Sequence, residues 1–458
     1  MNRFRQVRLL LVCGLMLVAR PAVGQTGVTN GRVFSSLFGA AASDAKASTA
    51  LDVDASLFAG YDDDVFARSS RPRPDASRLS GTFAGLQAGL SYRRRLSRGA
   101  LSGRAQTGGR YLPQNGEFIP TYHSGALSYG TALSPRNRFA VTQRVAYRPF
   151  FSVVPFSTGS TLGPSVDGGM GEEAPSIPED VDGDPGGDFS LASDREAVTY
   201  GTVASLVRQM SDRAVLQFAG RYSAASFLNA DVEGFSNTRW GLLGNYVYRF
   251  TDHLGVRVGY GFRRFEAREG PANNNHDINL GLIYNQPFVF GRGRTTLAFS
   301  TGSTTLVRRR LDDDGVTRRR FVWRALGTAT LTHDFVGPWQ AQASYVRTVG
   351  YLDGLTDPFY GDRLFASIGG LIGLRSDLFF SAGYLSGSVG LSRRNYDTAT
   401  AGVRLRTGLS RTMALFAQYY YFQYQFDESI AQDLFVPEGQ ERQGFRAGLT
   451  VWVPLLRR

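Results

Sequence analysis

The chain has 458 residues and a formal net charge of +12, and Lys46 is its only lysine, so arginine supplies almost all of the positive charge. One cysteine, Cys13, excludes an intrachain disulfide framework. A basic composition is compatible with nucleic-acid binding. Here the arginines are spread along alternating segments that follow an export signal, and no nucleic-acid partner is predicted.

The N-terminus has the three parts of a secretory signal peptide. Positive charge falls within 3–8, an apolar stretch covers 9–18, and small residues occupy 22–24. Residues 1–24 are therefore predicted to be a signal peptide. A retained anchor helix is the alternative, but the apolar stretch is shorter than the roughly 20 residues needed to span a bilayer. Residues 25–50 are predicted to form an N-terminal leader, either flexible or entering a lumen.

Eighteen segments of alternating apolar and polar residues fill 51–456. Connections after the even-numbered segments are short and carry Gly, Pro, Asn, Asp and Ser, whereas most connections after the odd-numbered segments are longer. This asymmetry is typical of a transmembrane barrel with short turns at one end. The predicted fold is all-β: an antiparallel up-and-down transmembrane β-barrel of 18 strands, with 16 as the alternative count and both termini periplasmic. A soluble β-sandwich fits the one-sided turns poorly.

Segment nine illustrates the two faces of a predicted strand. Leu254, Val256, Val258, Tyr260 and Phe262 alternate with glycine and arginine. Because successive side chains point to opposite faces of a strand, the apolar set suits lipid and the other set a watery lumen. Segment seventeen, with four aromatic residues in a row at 419–422, does not assign cleanly to two faces.

The opening of segment one, Leu57-Phe58-Ala59-Gly60-Tyr61-Asp62-Asp63-Asp64-Val65-Phe66, resembles the first strand of outer-membrane β-barrel porin families of Gram-negative bacteria. The resemblance implies an outer-membrane location and passive passage of small solutes. It also implies outer-membrane lipid, lipopolysaccharide and the barrel assembly machinery as partners. Such barrels usually end on an aromatic residue, whereas this chain ends on Arg457-Arg458. Oligomeric state does not follow from the sequence.

Inward-facing arginines are the main candidate feature of the lumen. A guanidinium group holds its N–H donors in one plane, which suits carboxylate and phosphate. A ring of arginines around a pore favours the passage of anions over cations. The alternative is that these side chains only solvate the wall and pair with acids. By alternation, the predicted pore-lining residues are Arg104, Arg110, Arg144, Arg148, Arg221, Arg239, Arg257, Arg263, Arg324, Arg404, Arg406 and Arg446.

The connection 152–194 is long, acidic and free of Lys and Arg. Resemblance to porins implies that this third outward loop folds inward and narrows the pore; a solvated surface loop is the alternative. The constriction residues would be Glu172, Glu173, Glu179, Asp180, Asp182, Asp184 and Asp188. Asp180, Asp182 and Asp184 also match the start of a calcium loop, but Pro185 and Leu191 stand where that loop needs glycine and an acid.

No catalytic residue and no cofactor are predicted. The neighbours His123-Ser124 and His276-Asp277 are adjacent in sequence, so on a strand they point to opposite faces rather than towards each other. The predicted function is a porin-like channel for passive passage of small hydrophilic solutes, with anions preferred. The alternatives are a barrel that exports or anchors an extracellular polysaccharide, and a plugged structural barrel.

Overall fold

The computed structural model describes residues 47–63, 80–114, 116–148, 196–228, 236–268, 272–290, 293–311, 317–351, 358–390, 394–434 and 438–458. The predicted signal peptide, most of the predicted leader and the acidic connection 152–194 lie outside these residues. The strands and the helix in chain order are β1 (Thr49–Asp62), β2 (Gly81–Leu96), β3 (Gly99–Leu112), β4 (Glu117–Ser134), β5 (Asn137–Arg148), β6 (Ala197–Gln209), β7 (Ala214–Phe227), β8 (Asn237–Arg249), β9 (Leu254–Ala267), β10 (Asn273–Phe290), β11 (Gly293–Leu311), β12 (Thr317–Asp334), β13 (Trp339–Tyr351), β14 (Pro358–Ile372), β15 (Ser376–Val389), β16 (Arg394–Gly408), β17 (Met413–Phe426), α1 (Glu428–Leu434) and β18 (Gly439–Arg457).

The strands form one closed antiparallel barrel, which confirms the predicted fold and the count of 18. Each strand pairs with its neighbour in the chain, and β1 pairs with both β2 and β18, as in the opposition of Leu57 to Leu86 and to Leu449. Closure leaves no sheet edge at this junction, so the backbone groups there are satisfied without water. β1 starts and β18 ends at the same end of the barrel as the short turns, the end predicted to face the periplasm.

The two faces of each strand follow from the alternation in sequence. On β9, Val258 and Tyr260 are 51% and 54% exposed, whereas Arg257, which directly precedes Val258, is 8% exposed. The same alternation places Leu57, Leu90, Leu242 and Leu364 on the outside. A closed barrel with an apolar outer band is the form in which strands cross a bilayer, so the chain belongs in an outer membrane. No helix in the described part of the chain is long and apolar enough to span a membrane.

Replacing Val258 by arginine is expected to destabilise the folded barrel by about 2–4 kcal/mol, because the charge would face lipid near the middle of the apolar band. Val258→Leu is the matched control and is expected to change the unfolding free energy by little. Denaturant titration of the protein refolded into lipid vesicles measures both. Equal unfolding free energies for the arginine and leucine variants would mean that this face of β9 does not meet lipid.

The aromatic row at 419–422, which sequence alternation did not assign to the two faces, lies on strand β17. Tyr420, Phe422, Tyr424 and Phe426 are all buried and point inward, while Tyr419 is exposed on the outer face. The inward set therefore forms an aromatic stripe up the lumen wall. It reaches α1, a short helix in a connection where no regular element was predicted.

Candidate functional site

Four arginines from neighbouring strands face each other on one side of the lumen. Arg144 on β5, Arg239 on β8 and Arg263 on β9 all act electrostatically on Arg221 of β7, and no carboxylate does so among the described residues. We call Arg144, Arg221, Arg239 and Arg263 the arginine cluster. Like charges on neighbouring strands repel one another, and the partial burial of Arg221 adds to the cost of holding its charge there.

Strand register explains how the four guanidinium groups share one area. One row across the sheet runs Arg144–Gly201–Ser223–Arg239, and the next runs Val203–Arg221–Gly241–Arg263. Small residues therefore separate the arginines of each row. A Cβ added at Gly201 would meet no atom closer than 3.8 Å.

Arg263 of the cluster forms an ion pair. Arg263 contacts Asp277 of β10, with Nε 2.7 Å from Oδ2 and Nη2 2.8 Å from Oδ1. The hydroxyl of Thr304 also donates to this carboxylate. Asp277 thus offsets the positive charge of Arg263.

A second group of predicted arginines is buried beside the β1–β18 junction. Asp62 at the end of β1 is fully buried and receives Arg442 Nη2 at 2.7 Å and the Tyr420 hydroxyl at 2.7 Å. Arg110 Nη1 lies 3.9 Å from the same carboxylate. We call Asp62, Arg110, Tyr420 and Arg442 the closure cluster. One carboxylate is shared by two guanidinium groups and a hydroxyl, so the cluster links β1, β3, β17 and β18 in the wall.

Most other predicted arginines are engaged by neighbours in the wall. Arg446 donates to Gln418 at 2.9 Å, and its guanidinium lies 5.1 Å from the centre of the Phe58 ring. Arg406 pairs with Asp377 near the short turn between β14 and β15. The remaining positions are as follows: Arg404 lies over Phe379, Arg324 lies over Tyr360, Arg257 is buried in the wall of β9, Arg104 is half-buried on β3, and the side chain of Arg148 is outside the described set.

At the end of the lumen away from the short turns, the end predicted to face outward, apolar side chains from both sides of the barrel form one buried cluster. Phe227 on β7 belongs to the same buried cluster as Phe359 on β14 and Ile430 on α1. We call this set the mouth cluster; it comprises Ala197, Phe227, Phe359, Leu385, Val389, Tyr396, Phe422, Tyr424, Phe426, Ile430 and Ala431. Strands β7 and β14 lie on opposite sides of the barrel. Contacts between them therefore cross the lumen.

The mouth cluster packs as an ordered aromatic core. The Tyr396 ring centroid lies 4.4 Å from that of Phe359 and 5.5 Å from that of Phe426. Glycine makes this possible on β14 itself and on β15, because a Cβ at Gly361 or Gly387 would lie 2.4 Å or 2.3 Å from the Phe359 ring. Alternation in sequence could show which of these residues face inward, but not that opposite walls meet.

The mouth cluster lies above the arginine cluster. Arg221 is six residues from Phe227 along β7, which is about 20 Å of strand. A solute moving along the barrel axis from outside would therefore have to pass the aromatic residues before it reached the guanidinium groups.

Other sequence features fall outside the site or outside the described residues. The predicted constriction residues of 152–194 and the calcium-like Asp180, Asp182 and Asp184 are not among the described residues. His123, His276 and His333 hydrogen-bond the hydroxyls of Thr107, Tyr260 and Thr295 at 2.7–2.8 Å. These contacts are strand-to-strand links in the barrel wall.

No family model and no curated protein matches this chain. Among solved structures, Pseudomonas aeruginosa OccK8 (OprE) is 12% identical over 89% of this chain and 98% of its own, with a TM-score of 0.42. Pseudomonas aeruginosa OccK2 (OpdF), solved in complex with glucuronate, is 11% identical over 89% and 98%, with a TM-score of 0.43. Acinetobacter baumannii OccAB1 is 12% identical over 90% and 99%, with a TM-score of 0.41. The predicted resemblance to outer-membrane β-barrel porins holds for the architecture, a closed barrel of 18 antiparallel strands.

Proposed function

We propose that this barrel is an outer-membrane channel for small hydrophilic solutes and that it prefers anions. The observation that carries the proposal is the arginine cluster on the lumen wall. Four guanidinium groups on β5, β7, β8 and β9 share one area, and Asp277 offsets one of them. Fixed positive charge in a narrow lumen lowers the barrier for anions and raises it for cations.

The chemistry of arginine narrows the class of solute further. A guanidinium offers several donors in one plane, which match the two oxygens of a carboxylate or phosphate. Gly201, Ser223 and Gly241 stand between the arginines of the two rows, so no bulky side chain separates the guanidinium groups. Small carboxylates and phosphate esters are the proposed solutes. The acidic connection 152–194, if it entered the lumen, would oppose these charges and set a field across the pore.

The mouth cluster supports a second candidate, a plugged structural barrel. Phe359, Tyr396 and Ile430 are fully or almost fully buried at the extracellular end. A channel with this closure needs a movement of the aromatic residues to conduct. Small, infrequent openings in a planar bilayer would support the channel, and a silent membrane at all voltages would support the plugged barrel.

Replacing Arg221 and Arg239 by glutamine is expected to move the reversal potential towards cations, because two positive charges leave the lumen wall without a change in strand pairing. The reversal potential in a planar bilayer under a KCl gradient measures this shift. The shift is expected to shrink at high salt, where the Debye length falls to about 3 Å at 1 M.

The matched control is Arg136→Gln, which removes an arginine from an exposed periplasmic turn. Its reversal potential is expected to equal that of the parent protein. If the double variant also keeps the parent value, the arginine cluster does not determine selectivity and the proposed anion preference is wrong.

A further inference from the structure

Strands β12 and β13 form backbone pairs over only part of their length. These strands pair over only eight positions, from Asp334 opposite Gln340 to Gly327 opposite Arg347. Above this point β12 continues through 317–326 and pairs only with β11, while β13 continues through 348–351 and pairs only with β14. We call these two unpaired stretches the β12–β13 seam.

Beyond the last backbone pair of β12 and β13, hydrogen bonds from side chains to backbone carbonyls connect the strands around the seam. Arg263, on the lumen side, donates from Nη1 to the carbonyl of Val349 at 3.0 Å. The Tyr360 hydroxyl of β14 donates to the carbonyl of Ala325 at 3.4 Å, so β12 reaches past β13 to the next strand. The upper end of β13 therefore lies behind β12, which accounts for the 2% exposure of Val349.

The depth of the seam places it in the outer leaflet. Eight paired positions correspond to about 26 Å of strand, or roughly 20 Å of height at the usual tilt of barrel strands. The apolar band of such a barrel is about 25 Å tall. The seam thus begins in the upper part of the band, where Trp323 on the outer face of β12 is 59% exposed. A tryptophan at this height is typical of the membrane interface.

The seam carries a donor for an anionic group. The guanidinium of Arg324 lies 5.0 Å from the centre of the Tyr360 ring, and its Nε is buried and makes no hydrogen bond to any described residue. A buried guanidinium donor is costly to leave unsatisfied. Arg347 next to it is matched by Asp362 through two bonds of 2.6 and 2.8 Å. Arg324 is therefore the side chain with capacity for a ligand.

We propose that the β12–β13 seam is a lateral binding site for a single-chain amphipathic anion, such as a medium-chain carboxylate. Arg324 binds the head group, and the chain lies between the overlapping strands and extends into the outer leaflet. The site opens inward at Arg263, a member of the arginine cluster, so it joins the lumen to the membrane without crossing the mouth cluster. It is separate from the axial path of the proposed channel.

Photolabelling of the protein in nanodiscs of zwitterionic phospholipid tests this site. The probe is dodecanoate with a diazirine at the chain end, and the labelled residues are mapped by mass spectrometry. Labelling is expected to concentrate on peptides that contain Ala325, Val349 or Tyr360, and to be displaced by unlabelled dodecanoate. The corresponding dodecanol probe, which has no charge, is expected to label the outer band evenly.

Three variants separate a binding role from a structural one. Arg324→Gln is expected to weaken saturable labelling at least about tenfold, the loss expected for one hydrogen bond to a charged group. Arg324→Lys keeps the charge and is expected to retain part of the labelling, and Arg136→Gln is expected to retain all of it. Circular dichroism of each variant checks that the barrel is folded.

Several outcomes would overturn the proposal. Even labelling around the barrel by both probes would show that the seam has no preference for an anion. Labelling confined to the arginine cluster would support the channel and exclude the lateral site. Complete displacement of the probe by lipopolysaccharide would assign the seam to a resident lipid. Because Arg221 and Arg239 are left intact, failure here does not affect the selectivity test of the proposed channel.

Discussion

Replacing Asp62 by asparagine is expected to destabilise the barrel by about 3–5 kcal/mol, the cost of breaking a buried ion pair by removing one partner. Asp62 is fully buried at the end of β1, and it receives Arg442, Tyr420 and, at longer range, Arg110. An amide in its place leaves two buried guanidinium groups without this carboxylate. The loss falls at the junction of the first and last strands, where closure of the barrel depends on a contact between residues 380 positions apart.

Asp63→Asn is the matched control for this prediction. Asp63 Oδ1 accepts a hydrogen bond from the backbone of Gln443 at 2.8 Å, and an asparagine oxygen accepts the same bond. Its unfolding free energy in denaturant titrations is expected to stay close to that of the parent protein. The double variant Asp62→Asn with Arg442→Gln is expected to lose less than the sum of the single losses, since the two residues form one network. Additive losses would mean that the pair does not act as a unit.

Alternation in sequence predicts this fold well because a barrel in lipid has only two environments. A strand such as β9 places Val258 in lipid and Arg257 in the lumen, and a shift of one residue would exchange them, so the period of two fixes the register of each strand. Short turns with Gly, Pro, Asn and Asp then give the direction of the chain. Consecutive pairing and closure follow from the need to satisfy every backbone group.

The interior contacts are less predictable because they join residues that the alternation pattern treats alike. Arg144 and Arg406 are both inward arginines in sequence, yet one belongs to the arginine cluster and the other is paired with Asp377. The register between neighbouring strands determines which arginines lie at the same height along the barrel axis. The grouping of Phe227 with residues of β14 to β17 in the mouth cluster, the helix α1 and the seam of β12 and β13 all depend on the shape of the closed barrel. No local pattern encodes that shape.

Replacing Phe359 and Phe426 by alanine is expected to raise single-channel conductance several-fold. These rings flank Tyr396 at 4.4 and 5.5 Å, and all three belong to the mouth cluster. Each truncation of a buried phenylalanine costs about 3–5 kcal/mol of packing, since the cavity left behind collapses only in part. At the mouth of the barrel, water can fill the space that the removed rings leave. The lumen above the arginine cluster therefore becomes wider.

The control for the mouth variant is Phe445→Ala, which removes the same side chain from the outer face of β18, where it is 48% exposed. Its conductance in the planar bilayer is expected to match that of the parent protein. A mouth variant that is folded and conducts no more than this control would place the limiting barrier elsewhere along the axis. If the mouth variant conducts and its current remains anion-selective, the arginine cluster determines which charge the channel prefers. The mouth cluster then limits the size of the current, and a solute meets the two clusters one after the other.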